Sequence, residues 1–207
     1  MSLSFAHITL NDLASMRSRH RAQLINALSG IKGVHLVGTR AADGTENLAI
    51  FNSVLHIGAD PAALGILFRP LSVQRDTYDN IKETGEFTLN LVSTEILDAA
   101  HQTSAKYESG QSEFSATGLT PWYSADHGAP YVNQSPIKVG LRFEEEHTMA
   151  INGTVLLVGR VQEVWVPEGA VGEDGWLKLD DWNIVSVAGL DAYHQGTLIE
   201  RKGYAQP

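Results

Sequence analysis

Asn47-Leu48-Ala49-Ile50-Phe51-Asn52-Ser53-Val54-Leu55-His56-Ile57 is the stretch that decides the fold. Two short, mainly apolar runs, Leu48 to Phe51 and Val54 to Ile57, flank a polar pair. Each run is strand-sized, and the pair interrupts an otherwise continuous β pattern. Such a break exposes backbone donors and acceptors. It is either an opening that offers them to the edge of a flat ligand or a plain β-bulge with a solvated serine.

Working downstream, Asp60-Pro61 breaks the chain and Ala63 to Phe68 is another short strand. Asp76 is a good N-cap for a helix over Thr77 to Thr84, with Gly85 as its stop. Phe87 to Val92 reads as a strand with Asn90 embedded, and Ser93 or Thr94 caps a helix through Ala100. Residues 103–136 look irregular, and a connection that long is more often functional or partner-facing than idle. Ile137, Val139, Leu141 and Phe143 alternate with Lys138, Gly140, Arg142 and Glu144, the period of a half-buried strand. Thr154 to Val166 is a second long strand, in which Gly159 suggests a bend or bulge.

Upstream, Val34 to Thr39 is β-branched and apolar, and Asp43-Gly44 marks a turn. Asn11 to Leu28 reads as a helix, capped by Asn11 or Asp12 and stopped before Gly30. Its centre, Arg17-Ser18-Arg19-His20-Arg21, is basic and reads as a solvated helix face. The whole pattern is mainly β with inserted helices and predicts a β-barrel carrying helices.

The 207 residues suffice for one sizeable core, and 43% are hydrophobic. The 19 glycines favour turns over long helices. A formal charge of -9 argues against a nucleic-acid partner, whose phosphates attract basic surfaces. There is no polybasic segment for an anionic membrane and no apolar stretch near bilayer length. The chain contains no cysteine, which excludes disulfides and thiolate chemistry. No targeting segment is visible at Met1 to Leu10. These signals point to a soluble cytoplasmic protein. The eight histidines show no metal-ligand spacing, so no metal site is expected. His56, between apolar neighbours, reads as a packed strand residue. Gly-x-Ser-x-Gly, Gly-x-Gly-x-x-Gly and P-loop patterns are all missing.

A set of ordered pieces resembles the flavin reductase-like, FMN-binding split-barrel family of the flavoredoxin kind. They are Asn47 to Ser53 with His56, Asp60-Pro61, Arg75 to Ile81, and Glu83 to Val92. Ser112-Glu113-Phe114, Gly118-Leu119-Thr120, Ala129-Pro130 and Ser135-Pro136 follow. Gly189 to Tyr193 and the closing Tyr204-Ala205-Gln206-Pro207 complete the series. The resemblance covers residues 33–207 as a split β-barrel domain and leaves residues 1–32 as an N-terminal helical extension.

The resemblance implies FMN as cofactor, a homodimer, and transient NADH or NADPH as hydride donor to flavin N5. A flavin phosphate needs N–H donors and cations, which the helix start beside Arg75, with Arg69, Thr77 and Asn80, can supply. Asp76 repels a phosphate and is assigned to capping. Asn52, Ser53 and Val54 are expected at the isoalloxazine ring. Asn90 either touches flavin or ties a loop to the sheet. Ala105 and Lys106 open a loop that either closes over the cofactor or stays free. Trp122, Tyr123, Tyr131 and Trp182 are candidate interface aromatics or loop anchors. No catalytic acid or base is expected, because hydride passes directly to the cofactor. The expected activity is flavin reduction, or reduction of a small acceptor, by NAD(P)H. The alternatives are a non-catalytic FMN electron carrier or store, and a structural barrel with an empty pocket.

Overall fold

The computed structural model describes residues 3–108 and 111–206; Met1, Ser2, Ser109, Gly110 and Pro207, the last residue of the closing motif, lie outside the described residues. Helices α1 (Leu10–Ser15) and α2 (Ser18–Leu28) come first. Strands β1 (Lys32–Gly33), β2 (His35–Arg40), β3 (Glu46–Phe51), β4 (Val54–Ala59) and β5 (Ala62–Phe68) follow. Helix α3 (Asp76–Thr84) leads into β6 (Glu86–Leu91), a 3-10 turn (Thr94–Ile96) and α4 (Leu97–Gln102). Then come α5 (Glu113–Thr117), β7 (Pro121–Trp122), β8 (Tyr131–Val132) and the long pair β9 (Lys138–Thr148) and β10 (Val155–Trp165). A 3-10 turn (Asp180–Trp182), β11 (Val185–Ala188) and β12 (Ala192–Gln195) finish the fold.

The main sheet has seven strands in the order β3-β2-β6-β9-β10-β5-β4. Its pairings are antiparallel throughout. The two outermost strands, β3 and β4, are consecutive in the chain and only Asn52 and Ser53 join them. Two residues span at most about 7 Å, so the opposite edges must meet and the sheet must curl on itself. No ladder joins β3 to β4, and the barrel is closed at that seam by chain connection alone. This is the split β-barrel, mainly β with inserted helices.

Alternation along the strands sorts side chains into two cores. Val37, Ile66, Phe68, Ile81, Phe87, Leu89, Leu141 and Leu157 fill the lumen. Val34, Leu36, Leu48, Val92, Phe114, Val132, Val185 and Val187 form a second cluster outside it, under α4, α5 and the small β1-β11-β12 sheet. Phe87 is fully buried, and its truncation to Ala costs about 3–5 kcal/mol. The bend expected at Gly159 is a register shift between β9 and β10, and a Cβ there would sit 2.5 Å from Phe87 Cζ. The bulge lets the lumen admit a phenyl ring at that point.

Four local expectations change. The N-terminal helix breaks at Met16-Arg17, and its cap is Thr9, in a capping box with Asp12, not Asn11 or Asp12. Asp76 is the first helical residue of α3, whose cap position is Arg75 with no side-chain cap bond. Residues 103–136 are not irregular throughout: α5, β7 and β8 form there, Phe114 and Leu119 enter the outer core and β7 pairs with β8. His56 is exposed, because β4 is an outer strand with one unpaired side. Among the aromatics, Tyr131 is fully buried, and Trp122 packs on it and on Trp165. Tyr123 instead donates to Glu46 Oε1.

Candidate functional site

One cleft of about 1330 Å³ runs along the barrel from the seam to the start of α3. Its floor is Ala49 to Ser53 with Leu67 and Phe68. Arg69, Gln74 to Thr77 and Glu113 line one end. Thr103 to Ala105, Tyr193 and Leu190 line the other parts of its wall, and α2 lies along its mouth through Ser18, Arg19, Ala22 and Asn26.

The α3 end gathers unpartnered donors and cations. The first N–H of α3 that bonds to protein is that of Asp79, to Arg75 O at 3.0 Å. Among the described residues nothing accepts from the N–H groups of Asp76, Thr77 or Tyr78. Helix dipole and free donors therefore face the cleft together. Arg75 Nε is buried without a partner, and neither Arg75 nor Arg69 pairs with a described carboxylate. A buried guanidinium N–H left bare is costly, and an anion is the chemical partner that suits it.

A buried side-chain network holds this end against the barrel. Asn47 Nδ2 donates to Thr39 Oγ1 at 3.1 Å and to Thr77 Oγ1 at 2.9 Å, and Asn80 Nδ2 donates to Thr39 Oγ1 at 3.1 Å. Thr77 Oγ1 accepts from Asn47, so its own proton is left to donate into the cleft. Asp76 faces the same end and accepts from Gln74 Nε2 at 3.2 Å. The Glu113 carboxylate accepts from Leu48 N–H at 3.0 Å. Burial pushes its pKa upward, and the nearby Asp76 charge adds to that, against the hydrogen bond from Leu48.

The seam end is apolar and open to backbone contact. The N–H groups of Asn52 and Ser53 have no acceptor among the described residues, while Ser53 O accepts from Leu67 N–H at 3.0 Å. Asn52 Nδ2 donates to Gly189 O at 3.2 Å, and its Oδ1 accepts from Ser53 Oγ at 3.1 Å. Phe51 and Phe68 meet edge to face at 5.2 Å. Across the cleft, His101 Nδ1 and Tyr193 OH share a 2.7 Å hydrogen bond. Burial, and then the charge of Asp191, pushes the Tyr193 hydroxyl pKa up.

Six of the ten expected contact residues line this cleft: Asn52, Ser53, Arg69, Arg75, Thr77 and Ala105. The other four do not. Val54 is the first residue of β4 and packs its side chain into the lumen core. Asn80 lies one helical turn beyond Thr77 and serves the network behind the anion end. Lys106 is exposed, one residue past the lining. Asn90 is fully buried and fully used: its amide donates to Leu36 O at 3.1 Å and Thr88 Oγ1 at 2.9 Å, and its Oδ1 accepts from Val132 N–H at 2.9 Å. It ties the β8 segment to the barrel, which is the scaffold role.

Sequence reasoning missed Asn47, Glu113, His101 and Tyr193 as lining residues. A polar Asn47 beside the apolar run 48–51 was the available signal, since a buried amide needs partners. The small sheet and α4 bring His101 and Tyr193 together across 92 positions of chain, and no local pattern foretells that.

The family model for the flavin reductase like domain matches residues 30–183. Among solved structures, a candidate flavin reductase with a split barrel domain from Shewanella frigidimarina NCIMB 400 is 41% identical, with a TM-score of 0.94 over 97% of this chain and 100% of that one. Nitrilotriacetate monooxygenase component B from Bacillus cereus shares the fold at 22% identity and a TM-score of 0.83, over 97% of this chain and 100% of that one. Flavoredoxin of Desulfovibrio vulgaris (Miyazaki F) shares it at 22% identity and a TM-score of 0.72, over 85% and 92%. Barrel, seam and family match agree, and the chain belongs to the flavin reductase like domain family.

Proposed function

We propose that this cleft binds FMN and that the chain is a flavin reductase-like oxidoreductase using NAD(P)H. The observation that carries the reading is the α3 end. A buried, unpartnered Arg75 Nε stands beside an uncapped helix start and the free hydroxyl proton of Thr77. That donor set matches a phosphate monoester. The seam end, apolar in its floor and bare in its backbone, matches the ring and its polar edge.

Bound flavin supplies the hydride-accepting N5. The protein's own work is to hold the phosphate at Arg75, Arg69 and Thr77, to seat the ring against Asn52 and Ser53, and to leave one face open to the donor. No side chain is assigned as acid or base. Residues 1–32 are read as an extension of the domain that lays α2 along the cleft mouth.

A homodimer is part of the proposal. Strand β4 leaves one edge unpaired and exposes Leu55 and Ile57, at 41% and 44%. Leu3, Phe5 and Leu10 are exposed on the N-terminal arm. A second copy would cover such surfaces, and a dimer mass by light scattering tests it. No described helix is long and apolar enough to cross a membrane, and we place the protein in the cytoplasm with no membrane or nucleic-acid partner.

The deciding experiment is spectroscopic. Purified protein takes up FMN, quenches its fluorescence, and loses the flavin's visible absorbance on anaerobic addition of NADPH or NADH. FMN uptake without bleaching would reduce the reading to an electron carrier or store. No uptake would end it.

A further inference from the structure

We propose that the face of α2 at the cleft mouth binds the 2′-phosphate of NADPH, and that the chain therefore prefers NADPH to NADH. The inference rests on the reductase reading and adds the donor's identity to it.

A second pocket, of about 540 Å³, is lined by Arg17, Arg19, His20, Gln23, Leu24 and Asp191. It shares Arg19 and Asp191 with the large cleft, so the two adjoin. The path between them is continuous. Asn52 at the seam holds Gly189, Gln23 Oε1 accepts from Leu190 N–H at 2.8 Å, and Arg19 meets Asp191 at 3.4 Å. A dinucleotide with its nicotinamide at the ring end can thus lay its adenosine half against α2.

In a protein of net charge -9, the pocket lining carries two arginines, Arg17 and Arg19, against the single carboxylate of Asp191. Such a local excess attracts an anion.

Asp191 decides between the two donors. A dinucleotide site selects the ribose 2′-hydroxyl with a free carboxylate and the 2′-phosphate with an arginine. Here the one carboxylate in the pocket is already engaged at both oxygens: Oδ1 accepts from Gln23 Nε2 at 2.9 Å and Oδ2 from Arg19 at 3.4 Å. The Arg17 guanidinium has no hydrogen-bond or ion-pair partner among the described residues, which leaves its planar fork free for a phosphate. Leu24 supplies an apolar patch for a base.

The probes are adenosine 2′,5′-bisphosphate and 5′-AMP, titrated calorimetrically into the full chain as purified. The bisphosphate should bind at least tenfold tighter, and Arg17→Ala with Arg19→Ala should remove the difference. Arg17→Ala alone, which breaks no side-chain hydrogen bond or ion pair among the described residues, should remove most of it. Unchanged far-ultraviolet circular dichroism and melting temperature in both variants show that they are folded. In anaerobic flavin reduction, kcat/KM should favour NADPH by tenfold or more and lose that preference in the double variant. Equal affinity for the two probes overturns the subsite, as does equal use of NADPH and NADH. If neither nucleotide reduces the flavin, the reductase reading fails, while the probe titration still decides the subsite.

Discussion

The two ends of the cleft are made differently. The α3 end is positioned by side chains: Asn47, Thr39, Thr77 and Asn80 form a buried network that pins the helix start against β2 and β3. The seam end is positioned by topology, because β3 and β4 are sheet edges that only Asn52 and Ser53 connect. A side-chain network can be broken by one substitution without opening the barrel. A seam set by strand order resists side-chain changes, and only its trim, such as the Asn52 bond to Gly189, is adjustable.

The largest effect separates the two ends through their ligands. Arg75→Ala with Thr77→Val removes charge-assisted phosphate contacts worth roughly 1.5–3 kcal/mol. FMN affinity should fall about ten- to hundredfold by fluorescence titration, a factor that follows from that energy. Riboflavin, which lacks the phosphate, should bind as before. Equal losses for both ligands would place the phosphate elsewhere.

Beside the seam end lies a half-buried titratable group whose ring Nδ1 is shut off from solvent. His35 pairs with Phe51 across β2 and β3, its Nδ1 has no partner, and burial lowers its pKa from 6.5 to about 4. A depressed pKa means that the folded state holds the neutral ring. Stability is therefore complete above pH 6.5 and is lost as pH falls from 6.5 toward 4. The loss is up to about 3 kcal/mol at roughly 1.4 kcal/mol per unit. His35→Phe should flatten this acid limb in chemical denaturation measured across that window. An unchanged limb would show that His35 is not its source.

Asn47→Leu strips the donor from Thr77 and from Thr39. It should cost about 1–3 kcal/mol of stability, as for buried hydroxyls left unsatisfied. FMN should weaken about tenfold, again with riboflavin spared. Asn52→Ala should differ in kind. Loss of its two neutral hydrogen bonds, to Gly189 O and from Ser53 Oγ, about 0.5–1.5 kcal/mol each, should weaken FMN and riboflavin alike. A selective loss of FMN here would erase the distinction between the two ends.

The smallest effect is at Glu113. A carboxyl whose pKa rises on folding holds its proton more tightly in the fold, so stability drops as pH climbs through the carboxylate range. Glu113→Gln escapes that drop and keeps an acceptor for Leu48 N–H. Its melting temperature should exceed that of the parent at pH 7, and the two should converge below the ordinary value of 4.5. FMN should tighten by less than about fivefold, the scale of a partly screened charge.

Much of this was legible in the chain. The polar interruption at Asn52-Ser53 marked a break between strands, though not that the sheet closes there, and the helix start with the basic pair Arg69 and Arg75 marked the cationic end of the cleft. Asn90 was read as either contact or tie, and its three partners from Leu36, Thr88 and Val132 show it to be a tie. Asp76 was misread as a cap because local propensity could not show that Arg75 takes the extended cap conformation.

By itself the sequence determined the strand periods, the breaks between them and the lack of thiol and polybasic chemistry. These depend only on neighbours a few residues apart and on composition. Tertiary structure alone decided which residues share the cleft. It set Asn47 behind Thr77, brought Tyr193 to His101, and laid the exposed, solvated face of α2 along the mouth of the cleft. The reason is physical: periodicity fixes which way a side chain points from its own element, but only the closing of the sheet fixes what it points at.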